Sequence, residues 1–247
     1  MRRTLRLLLV ALVLLPPAAL PVAAQEFSAA QRAEIVEILR RALREDPSIL
    51  REALTGLEAA ERRERSEMQR AAVARLSDQL LRDPADPVRG NPRGDVTIVE
   101  FFDARCGFCK QLHPAMEALL RRDANVRVVM KDLPILGPNS VLAARALLAA
   151  QRQGRYAQLH DALLTLRGEP TEAVLRQQAE RVGLDWSRLR RDMEDSAIAR
   201  RIEANLQLAQ ALGIEGTPAL VIGGQLVPGA VDLPALERMV AEARAAR

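Results

Sequence analysis

Apolar positions recur at helical spacing over residues 28–82, change to short unbroken runs after 94, return to helical spacing over 139–212, and end with two short runs and a last amphipathic segment. Ser28 predicts the cap of a first helix carrying Ile35, Ile38, Leu39, Ala42 and Leu43 on one face and stopping near Asp46-Pro47. Ser48 opens a second, with Leu50, Leu54 and Leu57 aligned. Residues 58–70, EAAERRERSEMQR, are too charged to be buried on any side, after which Met68, Ala72, Leu76 and Leu80 restore a narrow apolar stripe. A solvated helix with one narrow stripe buries that stripe against another copy or a neighbouring domain. Residues 25–82 are therefore expected to form a helical oligomerisation region.

The stretch 83–94, DPADPVRGNPRG, interrupts helix and ladder alike with three prolines and two glycines, and is expected to be a linker. Beyond it, Val96 to Phe102 reads as a strand, Gly107 to Arg121 as a helix, and Val126 to Met130 as a second strand. Asn139, Thr171, Asp185 and Ser196 are expected to cap helices in a block over about 138–212, with Ile198, Ile202, Leu206 and Ala209 on a core face. Ala219 to Ile222 and Gln225 to Val227 flank a Gly223-Gly224 turn, and Asp232 caps a closing helix. The expected class is α/β: residues 95–247 as one domain with an inserted helical block, since loop-closure entropy grows slowly with insert length.

The first 24 residues change the picture of compartment and charge. Met1-Arg2-Arg3 is a short basic start, Leu5 to Leu15 is almost wholly apolar, and Val22-Ala23-Ala24 offers small residues for cleavage, the pattern of a secretory leader. The apolar run is shorter than the ~20 residues of a spanning helix. Losing Arg2, Arg3 and Arg6 with an acid-free leader takes the formal charge from +4 to +1. A near-neutral chain lacks the concentrated basic surface that phosphate binding requires, so nucleic acid is not an expected partner.

Both cysteines of the chain lie in EFFDARCGFCK, residues 100–110, which also holds three of the six aromatic residues. Cys106 falls where a buried strand gives way to a helix, and the unpaired N–H groups and dipole at a helix start favour a sulfur anion. That makes Cys106 the expected nucleophile. Cys109, one turn on and deeper, can attack a mixed disulfide formed at Cys106 and release the partner. Gly107 allows another backbone to approach and Phe108 offers an apolar contact. A zinc site needs four ligands, and the chain offers only His113 and His160 as further imidazoles, although a softer ion such as Cu(I) accepts two thiolates. A structural staple is the poorest use, because so small a loop restrains little of the unfolded chain.

Glu100 stands between Val99 and Phe101 in a strand otherwise apolar on both faces, where burial raises a carboxyl pKa. Six residues before Cys106, it is expected beneath the thiols, accepting or supplying the proton of Cys109; at a strand edge it would be merely solvated. Thr217-Pro218 precedes a buried strand. A cis bond there would leave the Thr217 backbone free to pair with a substrate strand.

Together these pieces resemble the thioredoxin superfamily: strand, Cys-x-x-Cys helix, strand, Thr-Pro, hairpin and closing helix. Glu100 matches that family's buried acid, Pro114 its helix-kink proline, and Pro218 its cis-proline. The inserted helices are similar to those of the DsbA-like exported oxidoreductases. FFDARCGFCK, LPILGPNS and the helical N-terminal extension look like the suppressor-of-copper-sensitivity C and Com1-type branch. DsbA enzymes usually place a His between their cysteines; Gly107-Phe108 looks more like the pair of DsbC-type isomerases, and Thr217 is also their usual residue. A less stabilised thiolate makes a less oxidising disulfide, suited to attacking wrong disulfides.

The expected protein is thus a periplasmic thiol-disulfide oxidoreductase with no cofactor, favoured as isomerase or reductase, acting on cysteine-containing exported proteins and recycled by a membrane or soluble redox partner. The alternatives are a DsbA-type dithiol oxidase, a copper-binding protein using the same thiols, and a scaffold in which the thiols are incidental.

Overall fold

The computed structural model describes residues 27–246. The expected leader, 1–24, lies outside them. Two compact units divide the described chain, one through Ala59 and one from Ala60. No described helix is long and apolar enough to cross a membrane.

The first unit holds α1 (Ala29–Glu45) and the beginning of α2 (Ser48–Arg75). Ser28 caps α1 through a reciprocal pair: its hydroxyl accepts from the Gln31 N–H, and the Gln31 side chain accepts from the Ser28 N–H. The charged run 58–70 does not interrupt α2, because its Glu, Arg and Ala are good helix formers that remain solvated.

In the second unit, α3 (Ser77–Leu81) leads into a five-stranded sheet ordered β1-β3-β2-β4-β5. Its strands are β1 (Val88–Gly90), β2 (Val96–Phe102), β3 (Val126–Asp132), β4 (Ala219–Ile222) and β5 (Gln225–Pro228). β2 is central, pairing parallel to β3 and antiparallel to β4, which explains why it is apolar on both faces. Side chains alternate between two cores. Ile98, Phe102, Val128 and Met130 face α4 (Gly107–Arg122), α5 (Pro138–Gln151), α6 (Tyr156–Leu164) and α10 (Leu233–Ala245). Val99, Phe101 and Val129 meet Val73 of α2, Leu80 of α3, and Leu208 and Leu212 at the end of α9 (Ser196–Ala211). The inserted block, α5 to α9, includes α7 (Glu172–Arg181) and α8 (Trp186–Asp192) and packs on the first face, α9 through Ile198 and Ile202, while Leu208 and Ala209 at the end of α9 join the second core.

Two expectations need correcting. The stretch 83–94 is built into the domain: β1 pairs antiparallel with β3, Asp86 forms a buried ion pair with Lys131 at 2.6 Å, and Arg201 binds both Asp83 and Asp86. Proline and glycine here shape turns around a short edge strand. Two caps also move. Gly137 and Pro138 open α5 in place of Asn139, and Asp195, whose carboxylate accepts from the Ala197 N–H, opens α9 in place of Ser196. Thr171 and Asp185 cap α7 and α8 as expected.

Candidate active site

Cys106 is the N-cap residue of α4, and Cys109 lies one turn in, fully buried. Both are free thiols. The Cys106 Sγ donates to the Thr217 carbonyl oxygen at 3.1 Å, so the turn before β4 meets the outer sulfur across the sheet end. The Thr217-Pro218 bond is cis, Thr217 is half-buried and Pro218 is buried. Gly107 is open, with no heavy atom within 4 Å of the place a Cβ would take, and Phe108 is 65% exposed. The outer sulfur therefore lies between a bare backbone, an exposed aromatic ring and the edge of the Thr217 turn. Pro114 sits inside α4.

Glu100 issues from β2 on the face that packs α4 and is 3% exposed. Burial pushes its carboxyl up to about 7; Arg89 draws it down and Glu117 adds to the rise. Burial also pushes the Cys109 thiol well above its ordinary range, with the charges of Cys106 and Glu100 adding to the rise. The two groups thus sense each other's charge, and each by itself resists ionisation.

The turn that presents Cys106 is held by residues the sequence analysis did not single out. Asp103, buried, accepts from the Arg105 N–H on one oxygen and from the Ile135 and Leu136 N–H groups on the other, while its own carbonyl accepts from the Cys106 N–H. Arg105 reaches the Leu136 carbonyl and pairs with Glu169 at 2.6 Å, and Glu169 also accepts from Asn139. Lys110 donates to the Leu166 carbonyl at 2.8 Å. The Asp-x-Arg spacing at 103–105 is the local turn signal that could have pointed to Asp103.

Beside the Thr217 turn a cavity of about 850 Å³ is lined by Met68, Gln69 and Ala72 of α2, by the turn itself, and by Leu226 and Pro228 of β5. Its mixed lining suits an extended polypeptide better than a compact polar ligand.

The DSBA-like thioredoxin domain family model matches residues 97–241. The Na(+)/H(+) antiporter NhaA 1 of Salinispora arenicola is 36% identical over 166 residues, covering 65% of this chain and 26% of that protein. The chain thus spans about a quarter of the length of the curated relatives it matches. Among solved structures, a thioredoxin-like oxidoreductase from Silicibacter pomeroyi DSS-3 is 45% identical with a TM-score of 0.67, over 69% of this chain and 98% of that one. A linker-deletion mutant of Proteus mirabilis ScsC is 29% identical with a TM-score of 0.69, over 91% of this chain and 100% of that one.

Proposed function

The chain belongs to the DsbA-like thioredoxin domain family, a family of thiol-disulfide oxidoreductases, and on that premise we propose that it isomerises or reduces disulfides in cysteine-containing exported proteins. The observation that carries this reading is the Cys106 Sγ contact with the Thr217 carbonyl, which puts the outer sulfur, itself largely buried, against a backbone edge where a substrate strand can lie. Cys106 attacks a substrate disulfide: a sulfur–sulfur bond forms between Cys106 and one substrate cysteine, and the other leaves as a thiolate. In isomerisation that thiolate, or another on the substrate, attacks the adduct and frees Cys106. When the adduct stalls, Cys109 loses its proton to Glu100, attacks Cys106, and releases the reduced substrate.

Isomerisation or reduction is favoured over oxidation because Gly107-Phe108 places no cation between the thiols, which leaves the thiolate less stabilised and the disulfide less oxidising. Export rests on the leader pattern of residues 1–24, and a membrane or soluble partner recycles the thiols. A second copy, joined within residues 28–82 through the exposed apolar rows of α1 and the first half of α2, is the proposed oligomeric partner, since the stretch from Ala72 to Leu81 packs on the chain's own core.

The test uses a scrambled multi-disulfide protein in a glutathione buffer. The full chain should restore its activity, Cys106→Ser should bring the rate down to buffer alone, and Cys109→Ser should accumulate mixed disulfides visible by mass spectrometry of the alkylated mixture. Restoration by Cys106→Ser at the wild-type rate would refute the mechanism. Oxidation of reduced substrate without reshuffling of the scrambled one would replace the isomerase with a dithiol oxidase. Tight anaerobic Cu(I) binding without turnover would favour the copper-binding reading.

A further inference from the structure

A buried arginine is tolerated only where anions and acceptors surround its guanidinium. Arg89, on β1, is 8% exposed. It lies opposite Val128 of β3, Val128 lies opposite Ile98 of β2, and Glu100 is two residues beyond Ile98, so Arg89 and Glu100 issue from one face of the sheet. On that face α4 carries Cys109, His113 and Glu117 at four-residue intervals, which aligns their side chains in a row. The Arg89 Nη2 is 2.6 Å from Glu117 Oε1 and 2.7 Å from Asp161 Oδ1, and Nη1 is 3.0 Å from His160 Nδ1. His113 Nε2 is 3.7 Å from the same Asp161 oxygen. His113, His160 and Asp161 bring three ligand atoms within 4.8 Å of one another, a spacing suited to a metal ion, but Arg89 already engages two of the three residues. The cation of this cluster is the arginine.

We propose that Arg89 is a positioning residue for disulfide exchange: anchored by Glu117, Asp161 and His160, its guanidinium governs when Glu100 takes and returns the proton of Cys109. The inference rests on the proton role proposed for Glu100. In the resolving step the Cys109 S–H bond breaks and its proton passes to a Glu100 oxygen. The Cys109–Cys106 bond forms, and the substrate sulfur leaves with the electron pair of the broken mixed disulfide.

Glu100 must be ionised to begin this step, and burial opposes that. Arg89 is the cation that favours the ionised form, and Glu117 opposes it. The groups that exchange charge influence with Glu100 are Arg89 from β1, Cys109 and Glu117 from α4, and Tyr156 from α6. Facing Arg89 in turn are His113, His160 and Asp161. Burial and then Arg89 hold both histidines below their ordinary range, His160 at about 4. For Asp161, burial acts upward but is outweighed by its bond to His160 and the charge of Arg89, which hold the carboxyl low. Near neutrality the guanidinium therefore has two neutral histidines and the Asp161 carboxylate around it.

The test follows the Glu100 carboxyl by carbon-13 NMR across pH in the dithiol protein, together with the pH profile for resolution of a preformed Cys106 mixed disulfide. Arg89→Met should move both titrations to higher pH by about one unit, about tenfold slower resolution on the acid limb. Glu117→Gln should move both to lower pH, Arg89→Lys should lie nearer wild type than Arg89→Met, and in a Glu100→Gln background neither substitution should move the rate profile. A merely structural role for Arg89 predicts no such opposed pair. If Arg89→Met does not fold, Glu117→Gln carries the sign alone, and an absent or upward shift overturns the proposal. Unmoved carboxyl titrations would overturn it while leaving the proton role of Glu100 intact. Carboxyl shifts without rate shifts would overturn it through the reading it rests on.

Discussion

Burying the Glu100 carboxyl is costly to the fold, and the sign of that cost can be measured. Its carboxyl is raised by burial from 4.5 to about 7 in the folded chain. Below the lower value both folded and unfolded states hold the proton, and nothing is lost. As pH rises between the two values the unfolded chain releases its proton while the native chain retains it, so native stability falls. Above the higher value the loss is complete, at ~3 kcal/mol for a shift of this size. Glu100→Gln cannot ionise and escapes the loss. The advantage of Glu100→Gln over wild type in urea unfolding of the dithiol form should therefore be larger by ~3 kcal/mol at about pH 8 than at about pH 4. An advantage that does not change with pH would mean that Glu100 is not held protonated in the folded protein. Asp132, whose hydrogen bond from Tyr156 only partly offsets its burial, adds a loss of the same sign in both proteins and cancels from the comparison.

Among the elements, β1 shows how tertiary pairing overrides local pattern. Val88-Arg89-Gly90 is too short to show alternation and is bracketed by Pro87 and Asn91-Pro92, so residues alone say turn. What makes it a strand is β3, together with a turn in which the Asn91 N–H donates to the Val126 carbonyl and the Asn91 side chain to the Ala124 carbonyl. Gly94 closes that turn so tightly that a Cβ there would lie 2.5 Å from the Asn125 oxygen and 2.7 Å from the Arg127 nitrogen. Gly94→Ala should therefore lower the unfolding free energy by ~1–3 kcal/mol, as expected when backbone must shift to make room. Gly107→Ala, with open space around its Cβ, should lose none. Thermal unfolding of both variants checks the contrast, and equal melting temperatures would show that the turn is slack.

The same logic divides what could be read beforehand from what could not. β2 and α4 declare themselves by β-branched density and a row of core positions, and Cys106, Cys109 and Glu100 by a thiol pair and a lone carboxylate in an apolar run. The Thr217-Pro218 turn became specific only through resemblance. Arg89 and Asp103 stayed hidden because their burial depends on partners from other elements: Glu117 and Asp161 for Arg89, and the Ile135 and Leu136 N–H groups for Asp103; His160 was legible as a possible metal ligand but not as a partner of Arg89.

For the whole molecule, the N-terminal unit poses the remaining physical problem. No residue of α1 is buried, and Ile35, Ile38, Leu39 and Leu43 are 39–56% exposed at the spacing of one helix face. Leu50, Leu54 and Leu57 of α2 are exposed in the same way. Apolar rows of this length on two helices are not a stable solvent surface, and a second copy carrying the same rows would bury them. Self-association would also set two thiol pairs in one particle, so that a substrate released from one can be captured by the other at high effective concentration. Placing charges in both rows, as in Leu39→Glu with Leu54→Glu, should therefore convert the assembly to monomers in sedimentation velocity while leaving exchange with a small aromatic disulfide near the wild-type rate. Reactivation of scrambled substrate should fall by about tenfold or more, because it alone depends on the paired sites. A wild-type chain that sediments as a monomer at micromolar concentration would remove the assembly from the account. Monomeric variants that reactivate scrambled substrate at full rate would show that a single thiol pair is sufficient for isomerisation.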